Sequence, residues 1–165
     1  MKVVKGDLIR LALDGHFDVI VHGCNCFKTM GKGIASTIKR VFPQAYAADK
    51  ETKLGDASKL GYFTCATIQR PEGLITVVNA YTQYRYNPKY SEGKPMADYE
   101  AIEDVFRRIK ETFSGYRIGY PKIGAGLARG DWDKISAIID KELEGEDHTL
   151  VILEEPWTRR PNIKR

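Results

Sequence analysis

The sequence holds little of what would mark a specialised class. It has three cysteines in 165 residues; an odd number gives no closed disulfide framework, and a reducing cytoplasm is the expected setting. No apolar run approaches the ~20 residues of a membrane-spanning helix. Met1 leads into Lys2-Val3-Val4-Lys5 with no apolar leader stretch, so neither a membrane partner nor secretion is expected. An excess of one charge is also missing from the body of the chain. The formal charge of +4 comes from 26 Lys and Arg against 22 Asp and Glu. Arg159, Arg160, Lys164 and Arg165 stand in an acid-free terminal stretch, and residues 1–158 are formally neutral. A nucleic-acid partner is therefore not expected, and the organisation reads as one domain over 1–158 with a basic tail, 159–165. There is no internal repeat, low-complexity block or linker.

What is present is an ordinary globular composition, 42% hydrophobic and 29% charged, long enough to bury a core. Runs rich in β-branched and aromatic residues predict six strands: Met1–Lys5, Val19–His22, Tyr62–Gln69, Leu74–Ala80, Tyr116–Pro121 and Thr149–Leu153. Helical periodicity lies between them. Ile34, Ile38, Val41 and Phe42 form one stripe, and Tyr99, Ile102, Phe106, Ile109 and Phe113 a second. Trp132, Ile135, Ile138, Ile139 and Leu143 form a third, with Gly145 as its stop signal. Short helices are predicted over Leu8–Leu13 and Gln44–Thr52. The alternation predicts an α/β sandwich with a mostly buried mixed sheet. The apolar runs Val19-Ile20-Val21 and Val151-Ile152-Leu153 suit central strands, and such sheets take ligands beyond the carboxyl ends of their strands.

Three stretches sit at such ends. In His22-Gly-Cys-Asn-Cys-Phe-Lys-Thr-Met-Gly-Lys-Gly-Ile-Ala35, Gly31 and Gly33 open a helix, and a helix start with small residues cradles phosphate. For Gly-x-Gly alone, an unliganded strand-to-helix turn is the commoner explanation. The second stretch, Pro121-Lys-Ile-Gly-Ala-Gly-Leu-Ala-Arg-Gly-Asp-Trp132, repeats the plan, and the two could grip a diphosphate from both sides. Neither has the spacing of a dinucleotide fingerprint or a Walker A loop. Asp131 is a helix N-cap or, alternatively, a catalytic carboxylate. In the third, Lys5-Gly-Asp-Leu8, Asp7 either caps a helix or accepts from an exocyclic amine. His22 is either a structural histidine or a general acid/base. His22, Cys24 and Cys26 alternate, but only Cys65, His16 and His148 remain to complete a zinc set, so no metal and no cofactor are expected. Tyr81–Tyr90 interleaves tyrosines with bases, a pattern for base stacking or for a loop or lid beside a cleft.

Together, Lys5-Gly-Asp-Leu8, Asn25 with Gly31-Lys-Gly-Ile-Ala35, and Pro121-Lys-Ile-Gly-Ala-Gly-Leu127 resemble the macrodomain family, in this order and over nearly the whole chain. The resemblance implies a three-layer α/β/α sandwich around a six-stranded mixed sheet, and ADP-ribose as ligand. It places Asp7 and Leu8 at the adenine and Asn25 near the distal ribose. It puts Thr29, Met30, Gly31, Lys32, Gly33, Ile34 and Ala35 on one side of the diphosphate, with Ile123, Gly124, Ala125, Gly126 and Leu127 on the other. His22-Gly-Cys-Asn-Cys26 is similar to a stretch of the small ADP-ribose-1''-phosphate phosphatases. That implies phosphate removal from ADP-ribose-1''-phosphate, with His22, Asn25 and Asp131 as catalytic candidates; a monomer is expected. The alternatives are a reader that only binds ADP-ribose and an ADP-ribosyl hydrolase on protein or nucleic acid. Lys53-Leu-Gly-Asp56 looks like the lysine element of such hydrolases, although Ala128 stands where they carry an aspartate.

Overall fold

The computed structural model describes residues 1–154; the basic tail, 159–165, lies outside the described residues. The chain runs β1 (Lys2–Lys5), α1 (Leu8–Leu13), β2 (Val19–Cys24), α2 (Gly33–Val41), α3 (Pro43–Lys50), β3 (Phe63–Arg70), β4 (Gly73–Tyr81), α4 (Tyr99–Phe113), β5 (Ile118–Tyr120), α5 (Trp132–Glu142) and β6 (His148–Ile152). The six strands form one sheet in the order β1-β6-β5-β2-β4-β3. All neighbours are parallel except β3 and β4, a hairpin paired antiparallel. β2 and β6 are interior strands, which is why their apolar runs do not alternate with polar residues.

Both faces of the sheet are covered. On one, Ile102, Phe106 and Ile109 of α4 and Ile135 and Ile139 of α5 pack on Val19, Val21, Ile118 and Leu150. On the other, Leu8 and Ile9 of α1, Ile38 of α2 and Ala45 of α3 pack with Phe42 on Ile20, Val77 and Val151. This is a three-layer α/β/α sandwich around a six-stranded mixed sheet, the architecture the resemblance implied. The helix stripes read from periodicity are the buried faces, and Gly145 follows α5 with φ +83°. Each boundary shifts by a few residues at most; β2 runs two residues past His22 and β5 shortens to three.

Side chains on β2 alternate, so His22 projects on the same side as Ile20, toward α2 and α3. There it is wholly buried within a polar chain. Asn79 donates its amide to Ala45 O at 2.9 Å and to Thr64 Oγ1 at 3.1 Å, which turns its Oδ1 toward His22 Nε2 at 2.7 Å. His22 Nε2 therefore carries the proton and donates it. Thr64 Oγ1 meets Tyr81 Oη at 2.9 Å, and Tyr81 donates to Asp49 Oδ1 at 2.7 Å. Burial pushes the His22 pKa down to about 4, only partly opposed by the Asn79 bond. Burial pushes Asp49 up, against the Tyr81 hydrogen bond and Lys59.

A histidine with a depressed native pKa binds a proton more readily when unfolded. Its contribution is present above the unfolded value of 6.5 and is lost as the pH falls toward 4. By pH 5 the loss is about 2 kcal/mol, or about 5 °C in Tm. Asp49 has the opposite sign, losing its contribution as the pH rises through its native value. Thermal melts should therefore show stability falling between pH 6.5 and pH 4, and His22→Gln should flatten that limb. A variant profile parallel to the wild type would contradict the assignment.

Candidate functional site

Because β5, β2 and β4 are parallel neighbours, the loops that follow them leave the same sheet edge side by side. Between these loops lies a cleft of about 510 Å³, within the range of small-molecule sites. The β2 loop is braced from within: Asn25 donates its amide to Thr29 O at 2.9 Å, and its Oδ1 accepts from Phe27 N–H at 2.8 Å. The chain then enters α2 at Gly33 with φ +59°, a conformation that costs a side-chain-bearing residue about 1 kcal/mol or more. Lys32, at the N-cap, makes no side-chain cap. The first N–H groups of α2 thus have no partner from their own helix, and Gly33, Ile34 and Ala35 line the cleft.

Opposite them, the loop after β5 turns tightly, with Gly130 N–H donating to Gly124 O at 2.7 Å and Arg129 N–H to Gly126 O at 3.0 Å. A Cβ on Gly130 would lie 2.5 Å from Gly124 O, so the turn closes only with glycine there. The N–H groups of Gly124, Gly126 and Leu127 have no acceptor among the described residues. The cleft therefore presents backbone donors from two sides, reinforced by the partial positive charge of a helix N-terminus and by Lys32 and Lys122. It contains no Asp, Glu or His. Chemically, it is built to hold an extended anion.

Of the residues anticipated from the sequence, the cleft gathers Asn25, Thr29, Gly31 through Ala35, Ile123, Gly124, Gly126 and Leu127. The others lie elsewhere. His22 does not face the cleft: it is sealed under α2 and α3, and a neutral, buried ring cannot exchange protons with a bound ligand. Asp131 caps α5, its Oδ1 accepting from Asp133 N–H at 3.0 Å and Lys134 N–H at 3.4 Å, and it does not line the cleft. Lys53 is exposed on the loop before a short 3₁₀ turn and does not line it either. Asp56 caps that turn through Ser58, whose hydrogen bonds hold the carboxyl below its usual range. Met30 is buried against Cys24 and Tyr81. Ala125 lies in the loop but does not line the cleft. Asp7 caps α1 through Oδ1, from Ile9 N–H at 2.9 Å and Arg10 N–H at 3.3 Å, and Leu8 is buried in the core. Both follow β1 at the same sheet edge, outside the cavity itself.

Cys24 and Cys26 are buried thiols whose pKa values are pushed up by desolvation. No group of three or more His, Cys, Asp or Glu suited to a metal is gathered among the described residues. The sequence reading did not assign Gly23, Gln83, Asn87 and Lys122 to the site, yet all line the cleft. Gly23 had a usable signal, since it continues β2. A Cβ there would meet Thr82 Oγ1 at 2.7 Å and Ile123 at 3.3 Å, so the floor needs a residue without a side chain. The Tyr81–Tyr90 stretch divides: Tyr81 is core, Tyr84 packs edge-on to Phe27 at 5.0 Å, and Tyr86 forms part of the cleft wall.

No family model matches the chain. An uncharacterized 17.5 kDa protein from the tk–vs intergenic region of Enterobacteria phage T4 is 34% identical over 145 residues, covering 85% of this chain and 88% of that protein. An ADP-ribose 1''-phosphate phosphatase of Lodderomyces elongisporus is 22% identical over 160 residues, with 93% and 99% covered. Among solved structures, the macrodomain of Thermus aquaticus DarG superposes with a TM-score of 0.64 at 23% identity, covering 94% of this chain and 97% of that one. The chain belongs to the family of the phage T4 protein, and its fold is the macrodomain fold.

Proposed function

We propose that the cleft binds ADP-ribose derivatives and that the protein removes phosphate from ADP-ribose-1''-phosphate. The observation that carries the binding is the pair of opposed, acceptor-free N–H sets at Gly33–Ala35 and at Gly124, Gly126 and Leu127. A diphosphate bridges them, and Lys32 and Lys122 add charge without fixing geometry. The diphosphate's two nucleoside-side and ribose-side arms then run along the sheet edge. Asp7, exposed at the start of α1 on that edge, accepts from the adenine amine, and Asn25 lies beside the distal ribose.

The chemistry is a hydrolysis in which water oxygen bonds to phosphorus and the bond from phosphorus to O1'' breaks. The electron pair stays on O1'', which takes a proton, and the products are ADP-ribose and inorganic phosphate. Phosphoryl transfer proceeds through a loose transition state and depends mainly on positioning and on stabilising charge. A cleft of N–H donors and lysines supplies both. Cleavage of a glycosidic bond ordinarily draws on carboxylates, and none lines this cleft. This favours phosphate release over ADP-ribosyl hydrolysis. The relatives include both an ADP-ribose 1''-phosphate phosphatase of Lodderomyces elongisporus and an ADP-ribose glycohydrolase of Bos taurus, which supports a hydrolase on an ADP-ribose derivative.

Purified protein given ADP-ribose-1''-phosphate should release inorganic phosphate and leave ADP-ribose. Binding of ADP-ribose without turnover would reduce the protein to a reader. Rapid release of ADP-ribose from a modified protein or oligonucleotide, lost in Lys53→Ala, would replace the phosphatase with a hydrolase. Gly126 lines the cleft, and a Cβ there would meet nothing within 4 Å. Gly126→Val should therefore leave Tm unchanged while weakening ADP-ribose binding at least ~10-fold by calorimetry. Unchanged affinity would place the ligand elsewhere.

A further inference from the structure

With no Asp, Glu or His lining the cleft, a water molecule that attacks there is oriented by neutral oxygen. Five lining residues carry a side-chain oxygen: Asn25, Thr29, Gln83, Tyr86 and Asn87. Asn25 Oδ1 accepts from Phe27 N–H at 2.8 Å and Asn87 Oδ1 from Lys89 N–H at 3.0 Å, so both are engaged in local turns. Thr29 Oγ1 donates to Phe27 O at 3.2 Å. The Tyr86 ring packs edge-on to Phe27 at 6.0 Å, which leaves its hydroxyl free to turn. Gln83 alone combines a free oxygen with a fixed amide. Its Nε2 donates to Arg85 O at 2.7 Å. A carbonyl only accepts, so the amide nitrogen must face it and Oε1 turns away. Among the described residues Oε1 accepts from no donor.

The main chain sets where that amide stands. Thr82 N–H donates to Cys24 O at 3.2 Å, and Cys26 N–H to Tyr84 O at 3.1 Å. These two bonds continue the pairing of β2 with β4 past its last partners, Cys24 and Tyr81, and they bracket Asn25 on one chain and Gln83 on the other. From the far side, Gln83 pairs with Ala97, and Asp98 N–H donates to Thr82 O at 2.8 Å. Gln83 is therefore a half-buried residue pinned from both sides, and the cross-chain neighbour of Asn25. A group that aligns a reacting water needs such preorganisation.

We infer that Gln83 is a catalytic residue, its Oε1 accepting a hydrogen bond from the water that attacks the phosphorus on the distal ribose. This rests on the ADP-ribose-1''-phosphate reading, which puts the distal ribose beside Asn25. Water oxygen bonds to phosphorus as the bond from phosphorus to O1'' breaks, and the electron pair leaves with O1''. One water proton stays on the new phosphate oxygen and the other passes to O1''; Gln83 keeps none. A neutral amide suffices because the loose transition state of phosphoryl transfer demands alignment of the water more than its deprotonation. A carboxylate at the same place would set a negative charge against the phosphate under attack.

The test is steady-state phosphate release from ADP-ribose-1''-phosphate by the full chain and by Gln83→Met, a side chain of similar length without the amide. ADP-ribose affinity by calorimetry and Tm are measured beside it. In the variant kcat should fall roughly 100-fold, while KM, ADP-ribose affinity and Tm stay close to wild type. Gln83→Ala should lose a similar factor in kcat with the same controls unmoved. A side chain that merely braced the loop would instead move KM, affinity or Tm. A kcat close to wild type in both variants would overturn the inference, as would a loss of ADP-ribose affinity that accounts for the loss of rate. Wild-type protein that binds ADP-ribose and releases no phosphate would sink the phosphatase reading and the inference together. Wild-type turnover that survives in both variants would sink the inference alone.

Discussion

The hydrogen bond from Gly130 N–H to Gly124 O, at 2.7 Å, holds the loop after β5 in a tight turn. With that turn closed, the N–H groups of Gly124, Gly126 and Leu127 are left without protein acceptors, across from the uncapped start of α2. Opening the loop would let these donors find partners or water and would remove one wall of the cleft. A Cβ at Gly130 cannot be accommodated beside Gly124 O, and the geometry therefore rests on a residue whose contribution is the absence of atoms. Gly23, on the cleft floor, acts in the same way against Thr82 and Ile123.

The sheet supplies the other half of the constraint. Parallel pairing of β2 with both β4 and β5 places three carboxyl-terminal loops on one edge. Helices on both faces make that edge the open end of an otherwise covered sheet. Burial then decides which polar groups can take part in chemistry. His22 and Gly23 are adjacent in sequence, yet one is locked in a hydrogen-bonded chain with Asn79, Thr64, Tyr81 and Asp49 while the other floors the cleft. That buried chain ties β2, β3, β4 and α3 together, holding still the strand from which the first loop departs.

Much of this is legible in the sequence. The stripe Ile34, Ile38, Val41, Phe42 marks the buried face of α2 because a helix has one period and one core to face. The unbroken apolar runs of β2 and β6 mark interior strands for a similar reason. The glycine loops are visible because close backbone approach leaves no alternative residue. The fate of His22 is not, since alternation tells which residues share a face of β2 but not which layer each face meets. Asp131 and Asp7 illustrate a different limit: an aspartate before a helix caps it whether or not a ligand is near. Gln83, Asn87 and Lys122 reach the cleft through tertiary placement of loops and carry no periodic signal at all.

The account therefore assigns anion binding to neutral backbone groups and treats charged side chains as auxiliary. Amide chemical shifts of isotopically labelled protein during titration with ADP-ribose test this most directly. The largest perturbations should fall on the amides of Gly33, Ile34, Ala35, Gly124, Gly126 and Leu127, with the amide of His22 little changed. Perturbations centred away from these two loops, or none at saturating ligand, would contradict it.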